Sequence, residues 1–206
     1  MNTNPIPRGD RVAERRPRDW ITVLVILAIC LALAVGGNDV RELARYERVG
    51  LEGGQYWRLL SGHLVHLGWG HLWPNVAALL IVGFLFEGVF RTADWVRSGL
   101  VSVAAIDAGL YLLEPTVPWY VGLSGVLHGF VAAGAFALLL QRQALGAVLA
   151  IGLCGKLLFE QIFGPVPLTA GAVGGPVIVA AHLYGAAGGF VATAVGHFVP
   201  LGRQRV

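Results

Sequence analysis

The sequence predicts an all-α polytopic membrane protein, and two observations lead to this fold class. The first is composition: the 206 residues are 56% hydrophobic and only 13% charged, with a mean hydropathy of +0.68. About a quarter of the residues of a soluble domain are charged, so this chain lacks the charges that a water-exposed surface needs. The second is that the apolar residues fall into six long stretches. These observations exclude a typical cytosolic domain, a disordered chain and a coiled coil.

The rest of the composition also fits a helical membrane protein. The 29 glycines follow no three-residue period, which excludes collagen, and glycine is common where membrane helices pack closely. Two cysteines cannot form a disulfide framework. The six tryptophans are typical of anchors at the membrane interface, so the net charge of +3 does not indicate nucleic-acid binding. We expect a lipid bilayer around the protein and no nucleic-acid partner.

Six segments are apolar and long enough, or nearly so, to cross a bilayer, which takes about 20 residues. The predicted spans are Trp20–Val35, His71–Phe90, Val96–Leu113, Gly122–Leu140, Ala144–Phe163 and Pro176–Val199. The connection Gly36–Gly70 is long, polar and aromatic, whereas the other connections are short. The sequence therefore predicts one membrane domain, residues 20–199, between an N-terminal tail (1–19) and a C-terminal tail (200–206).

The arginines predict that both tails are cytoplasmic, because basic residues are enriched on that side of a membrane. The N-terminal tail carries five arginines. Arg91 and Arg142 lie in connections on the same side, and Arg97 lies at the end of the third span on that side. The connections Glu114–Val121 and Gly164–Gly175, on the opposite side, carry no basic residue. A cleaved signal peptide is the competing interpretation of the first span; cleavage would leave the orientation of the other five unchanged.

Two polar motifs open predicted spans on the extracytoplasmic side. His71 and Asn75 are four residues apart at the start of the second span, so they share a helix face. The motif Gly122-Leu-Ser124-Gly125 lies at the start of the fourth span. Polar side chains inside a membrane are costly, so each of these positions is a functional hypothesis.

A third motif lies in the outer half of the sixth span. His182, Gly185 and Gly189 fall on one stripe of the helix, and the two glycines permit close approach by another helix. His182 should lie level with Ser124, because both spans start on the same side. A serine with a histidine base in reach becomes a nucleophile.

The chemistry expected of these residues is acyl transfer. His182 would take the proton of Ser124, and His71, Asn75 and the amide of Ser124 would donate hydrogen bonds to the oxyanion. No acidic residue is obviously placed beside His182, so the sequence favours a Ser–His dyad over a triad. Lys156 and Glu160, four apart in the fifth span, and Asp107 in the third are expected to form structural ion-pair or hydrogen-bond networks.

The other histidines have several possible roles. His128 lies one helical turn after Ser124, and it could be the base itself, a ring that packs on His182, or a group that touches the substrate. His63 and His66 are expected to be ordinary interfacial histidines. An alternative function from another class is a haem-binding or transport protein, in which His71, His128 and His182 would be the ligands. The motif HExxH is absent, so we expect no metal site of the metalloprotease type. We also expect no cofactor.

The three motifs resemble those of the rhomboid family of intramembrane serine proteases, whose pattern is His-xxx-Asn, Gly-x-Ser-Gly and Ala-His-xx-Gly-xxx-Gly on the second, fourth and sixth spans. This chain matches with His71-xxx-Asn75, Gly122-Leu-Ser124-Gly125 and Ala181-His182-xx-Gly185-xxx-Gly189. Two further features resemble the family: Tyr56-Trp57-Arg58 in the first loop is similar to its Trp-Arg motif, and Glu87 is similar to its glutamate near the cytoplasmic end of the second span. The resemblance covers about residues 20–199 and implies a six-helix rhomboid-like bundle.

The resemblance implies Ser124 as nucleophile, His182 as base, and His71 with Asn75 as oxyanion stabilisers. Gly122, Gly125, Gly185 and Gly189 would support these groups. One departure is His128, because rhomboids commonly place a tyrosine there that packs on the catalytic histidine.

The run from Gly122 to Gly129, with the surroundings of His63 and His182, is similar to the rhombosortase subfamily of small bacterial rhomboids. That similarity implies the bacterial inner membrane, an active site that opens toward the periplasm, and membrane-anchored protein substrates with a C-terminal Gly-Gly motif, an apolar span and a basic tail. An ordinary rhomboid with other transmembrane substrates, or an inactive relative, are the alternatives.

Overall fold

The computed structural model of the protein describes residues 20–167, 171 and 174–198. The tails predicted for residues 1–19 and 200–206, and Val199 at the end of the sixth predicted span, lie outside the described residues. The helices are α1 (Ile21–Val35), α2 (Gly37–Ala44), α3 (Arg48–Glu52), α4 (Arg58–Ser61), α5 (Trp69–Leu85), α6 (Thr92–Leu113), α7 (Ser124–Leu140), α8 (Ala144–Phe163) and α9 (Val179–Phe198). Two short strands, β1 (Tyr46–Glu47) and β2 (Trp119–Tyr120), complete the described elements.

The predicted helical membrane fold is confirmed, whereas the number of spans is not settled by helix length. Among the described residues, α6, α8 and the first 18 residues of α9 are long and apolar enough to cross a bilayer. The helix α1 meets the same test only together with α2, which is bent from it by 118°. The helices α5 and α7 have 17 residues each, which gives a length of about 25 Å against a hydrocarbon core of about 30 Å. Six spans therefore stay a prediction.

The helix boundaries differ from the predicted ones where a local interaction decides them. The helix α6 begins at Thr92, four residues before the predicted start, because the carboxylate of Asp94 accepts a hydrogen bond from the Arg91 amide and caps the helix. The helix α5 begins at Trp69 and ends at Leu85, so Glu87 lies beyond the helix rather than in it.

The helix α7 is at the centre of the bundle and packs against α6, α8 and α9. The core around it is built from large side chains that include Leu72, Phe86, Ile106 and Phe130. The helix α8 is more peripheral, and much of its apolar surface is exposed, as expected of side chains that face lipid; these include Val148, Ile151, Leu158, Ile162 and Phe163. Its polar residue Glu160 points the other way and is buried.

The long first loop is tied to the segment that leads into α7. The strands β1 and β2 pair antiparallel, with Tyr46 opposite Tyr120. The amide of Gly122 donates to the carbonyl of Gly62 at 3.0 Å. Arg58 is buried and donates to two backbone carbonyls of the same loop. The loop therefore fixes the backbone immediately before Ser124.

Candidate active site

Ser124 and His182 are joined by a hydrogen bond between two helices. Ser124 is the first residue of α7 and His182 is the fourth residue of α9. The Nε2 atom of His182 lies 3.0 Å from the Oγ atom of Ser124. This distance is within the range expected of a nucleophile and its general base. Residues 58 positions apart in the sequence are thus brought together by packing alone.

Glycines set this contact, because they let the backbones of α7 and α9 touch. The space that a Cβ atom on Gly185 would need is filled by the carbonyl of Gly125, and the same relation holds between Gly189 and Gly129. Side chains of any size at these positions would separate the helices and the two site residues with them.

Gly122 is required for a different reason. Its φ is +118°, a conformation that residues with a side chain rarely adopt, and a Cβ atom there would lie 2.7 Å from Cε1 of His71. The hydroxyl of Tyr120 donates to the carbonyl of Gly122 at 2.7 Å. Burial raises the pKa of Tyr120, which keeps this hydroxyl protonated. The turn before Ser124 is thereby held against the His71 ring.

The two predicted oxyanion donors line the same cavity as Ser124 and His182. His71 and Asn75 are both buried, and the cavity that all four residues line has a volume of about 260 Å³. The amide of Leu67 donates to Nδ1 of His71 at 3.3 Å, so the neutral ring carries its proton on Nε2, the nitrogen beside Gly122. Asn75 donates one N–H to the carbonyl of His71 at 2.8 Å, which leaves its second N–H for another acceptor.

His128 packs on the imidazole of His182 and does not bind the hydroxyl of Ser124. The two rings are stacked, with centroids 4.1 Å apart and planes 14° apart. The Nδ1 atom of His128 donates to the backbone carbonyl of Ser124 at 2.7 Å. Of the three roles considered for His128, ring packing is the one that these contacts favour.

The structure adds a carboxylate that sequence analysis missed. Oε2 of Glu160 accepts a hydrogen bond from Nδ1 of His182 at 2.8 Å. Oε1 of the same carboxylate accepts from Nζ of Lys156 at 2.6 Å. The expectation that no acidic residue lies beside His182 is therefore wrong. Glu160 and Lys156 looked like a self-contained pair on one helix, and the packing of α8 on α9 is not visible in the sequence. The available signal was a carboxylate inside a predicted span.

His63 and His66, expected to be ordinary interfacial histidines, are both buried inside the protein. His63 is 1% exposed, and its Nε2 atom lies 3.1 Å from Oδ1 of Asp107. Its ring also contacts the ring of Tyr120, at 5.4 Å between centroids. His66 is buried edge-on against the ring of His71, at 5.0 Å between centroids. Burial, with a smaller contribution from His71, lowers the pKa of His66 to about 3. Both histidines thus pack against residues that line the cavity, Tyr120 and His71.

Three of these side chains could together hold a metal ion. Among the described residues, the ligand atoms of His128, Glu160 and His182 all lie within 4.8 Å of one another. However, both nitrogens of His182 are already used in hydrogen bonds, and the ammonium of Lys156 lies on the carboxylate. The face-to-face contact of the two imidazoles also leaves no room for a porphyrin between them, which disfavours the haem alternative.

Comparison with known proteins adds two findings. The sequence model of a family described as "Rhomboid domain" matches residues 53–197, well over half of the chain. The chain is also 24% identical over 151 residues to a Bacillus subtilis protein named "Putative rhomboid protease YdcA". This similarity covers 73% of the present chain and 72% of that protein. The matched residues 53–197 include all the side chains that line the cavity.

Proposed function

The chain belongs to the rhomboid family of intramembrane serine proteases, and on this basis we propose that it is a serine endopeptidase with Ser124 as nucleophile and His182 as general base. The observation that carries the proposal is the 3.0 Å contact between Oγ of Ser124 and Nε2 of His182. A serine hydroxyl is a weak nucleophile without such a base. The contact lies on a cavity that is also lined by two side chains with N–H donors, His71 and Asn75.

The first half of the reaction is acylation of Ser124. Its Oγ atom attacks the carbonyl carbon of the scissile bond while Nε2 of His182 takes the hydroxyl proton. The carbonyl oxygen becomes an oxyanion, and donors for it are the Nε2–H of His71, the second N–H of Asn75 and the amide of Ser124. When the intermediate collapses, the C–N bond breaks and His182 returns the proton to the leaving amine.

The second half releases the acyl group. Water loses a proton to Nε2 of His182 and attacks the ester carbonyl of the acyl-enzyme. The same donors stabilise the second oxyanion, and His182 then returns the proton to Oγ of Ser124. The products are a carboxylic acid on the upstream fragment and an amine on the downstream fragment, so no cofactor is consumed.

We infer that the substrates are membrane-anchored proteins with a C-terminal apolar span, cut near that span. The finer proposal is a rhombosortase-like preference for a Gly-Gly motif before the span and a basic tail after it. Its support is the resemblance of the motifs around His63, Ser124 and His182, together with His128 in place of the usual tyrosine. The alternative within the family is a rhomboid protease with other transmembrane substrates.

The proposed location is the bacterial inner membrane, with both termini in the cytoplasm and six spans. The support is the distribution of arginine along the sequence. Because α5, α7 and α9 carry the site residues near their first turns, the active site would open toward the periplasm.

The experiment that tests the substrate proposal uses the purified protein in lipid vesicles. Two substrates are compared, each with an apolar span and a basic tail, one with Gly-Gly before the span and one with Ala-Ala. Mass spectrometry of the released fragment identifies the bond that is cut. Cleavage of the Gly-Gly substrate alone, absent with Ser124→Ala, supports the finer proposal. Equal cleavage of both substrates favours a rhomboid of broader specificity.

A further inference from the structure

We propose that Glu160 is a positioning residue for His182, held in place by Lys156, so that the site works as a Ser–His–Glu triad rather than a dyad. The inference rests on the proposed function, because it assigns a role in the reaction of Ser124. It also departs from the expectation that sequence analysis gave for this site.

The geometry is a continuous line of hydrogen bonds across three helices. Oγ of Ser124 contacts Nε2 of His182 at 3.0 Å, and Nδ1 of the same ring contacts Oε2 of Glu160 at 2.8 Å. Oε1 of Glu160 contacts Nζ of Lys156 at 2.6 Å. Each nitrogen of the imidazole and each oxygen of the carboxylate thus has one partner.

Charge and burial explain why Lys156 belongs to this arrangement. Glu160 is 1% exposed, and a buried carboxylate is costly unless a cation and hydrogen bonds compensate it. The side chain of Lys156 is 36% exposed, so its ammonium reaches the cavity while it neutralises the carboxylate. Ionised Glu160 can only accept hydrogen bonds, and this property determines what it does to the imidazole.

The consequence is a fixed tautomer of His182. A carboxylate that accepts from Nδ1 places the proton of the neutral ring on Nδ1 and leaves the lone pair on Nε2, facing the hydroxyl of Ser124. That tautomer is the one that can accept the serine proton. The carboxylate also stabilises the imidazolium that forms in the transition state. Stacking by His128 restrains the ring plane but does not select a tautomer.

The variant Glu160→Gln tests this inference, because the amide keeps the size of the side chain. Its NH₂ group can donate to Nδ1 of His182, which would move the ring proton to Nε2, where it blocks proton transfer. We expect kcat to fall by about 10²–10⁴ with KM unchanged, as when the carboxylate of a triad is replaced by its amide. Glu160→Asp should restore part of the rate, since it restores an acceptor.

A matched control is Glu114→Gln. Tyr184 lies two residues after His182 on α9, and its hydroxyl donates a hydrogen bond to Glu114 at 2.9 Å. Glu114 does not contact the imidazole of His182. The same chemical change there should leave kcat within about threefold of wild type. All variants are compared for their rate of fluorophosphonate labelling at Ser124 and for their midpoint of thermal unfolding in detergent.

The double variant Lys156→Met/Glu160→Gln covers the case in which Glu160→Gln alone fails to fold, because it leaves no unpaired charge. In either folded variant, loss of kcat and of labelling rate with an unchanged unfolding midpoint supports the positioning role. Rates within about threefold of wild type would overturn it while leaving the serine protease intact. Absence of Ser124-dependent cleavage in the wild-type protein would overturn both proposals together.

Discussion

The imidazole of His128 lies flat on the imidazole of His182, with ring centroids 4.1 Å apart and an angle of 14° between the planes. The Nδ1 atom of His128 donates a hydrogen bond to the backbone carbonyl of Ser124, so the His128 ring is fixed at both its face and its edge. A flat ring in this position restrains the rotation of His182 about its side-chain bonds. His128 would then act through the flat shape of its ring and not by transferring a proton.

This arrangement predicts different outcomes for two substitutions of His128. His128→Phe retains a flat ring and should keep much of the activity, although it loses the hydrogen bond to Ser124. His128→Ala leaves a cavity beside His182 and should lower kcat further. Initial rates of substrate cleavage at several concentrations separate the two effects. A folded His128→Phe protein as inactive as Ser124→Ala would place His128 in the catalytic set instead.

His71 and Asn75 are predicted to act on the transition state. His71→Ala and Asn75→Ala should each lower kcat by about 10²–10³, with little change in KM, because an oxyanion exists only during the reaction. Asn75→Asp keeps the size of the side chain but brings a negative charge to the oxyanion, so it should lower kcat as well. Steady-state kinetics in detergent give both constants. An effect confined to KM would assign the two residues to substrate positioning.

The glycine contacts between α7 and α9 predict a stability effect at two positions. Gly185→Ala and Gly189→Ala should both lower the unfolding midpoint and the activity, because the new methyl group meets the backbone of α7. The matched control is Gly155→Ala on α8, where a Cβ atom meets nothing within 4 Å. The control should be neutral or stabilise the protein by up to about 1 kcal/mol, as alanine favours a helix. Equal thermal stability of all three variants would contradict the packing argument.

The lowered pKa of buried His66 predicts that the stability of the protein depends on pH. The pKa of His66 is lowered to about 3 by burial, whereas an unfolded chain protonates histidine near pH 6.5. Between these values the unfolded state binds more protons. The free energy of unfolding therefore falls as pH falls below about 6.5, by up to about 1.4 kcal/mol per pH unit.

The comparison that isolates this contribution is between wild type and His66→Phe. The phenylalanine keeps a ring against His71 but has no proton to bind. Unfolding midpoints measured at pH 7 and pH 5 should differ less in the variant than in the wild type. Identical pH dependence in the two proteins would show that His66 does not contribute.

The helical membrane fold and the pairing of Ser124 with His182 could be predicted from sequence patterns, since each of the two residues lies in a local motif with helical spacing. Short-range spacing also grouped His71 with Asn75 on one face. Helix starts could be predicted to within a few residues, but the early start of α6 depended on a side-chain cap.

Contacts between elements that are distant in the sequence were the part that could not be predicted. Glu160 and Lys156 satisfy each other on one helix, so nothing local indicates that the carboxylate also meets His182. His63 likewise appears in a polar loop, and only the fold shows that Asp107 lies beside it. The pairing of β1 with β2 involves two residues on each strand, which is too short to leave a pattern in the sequence.

The most direct test of the central claim is to find which residue a fluorophosphonate probe modifies. The purified protein is treated with the probe in detergent, digested, and its labelled peptide is sequenced by mass spectrometry. The serine protease proposal predicts a single adduct on Ser124, absent from Ser124→Ala and strongly reduced in His182→Ala, with both variants as thermally stable as the wild type. An unlabelled wild-type protein that is folded, or cleavage retained by folded Ser124→Ala, would contradict the proposal.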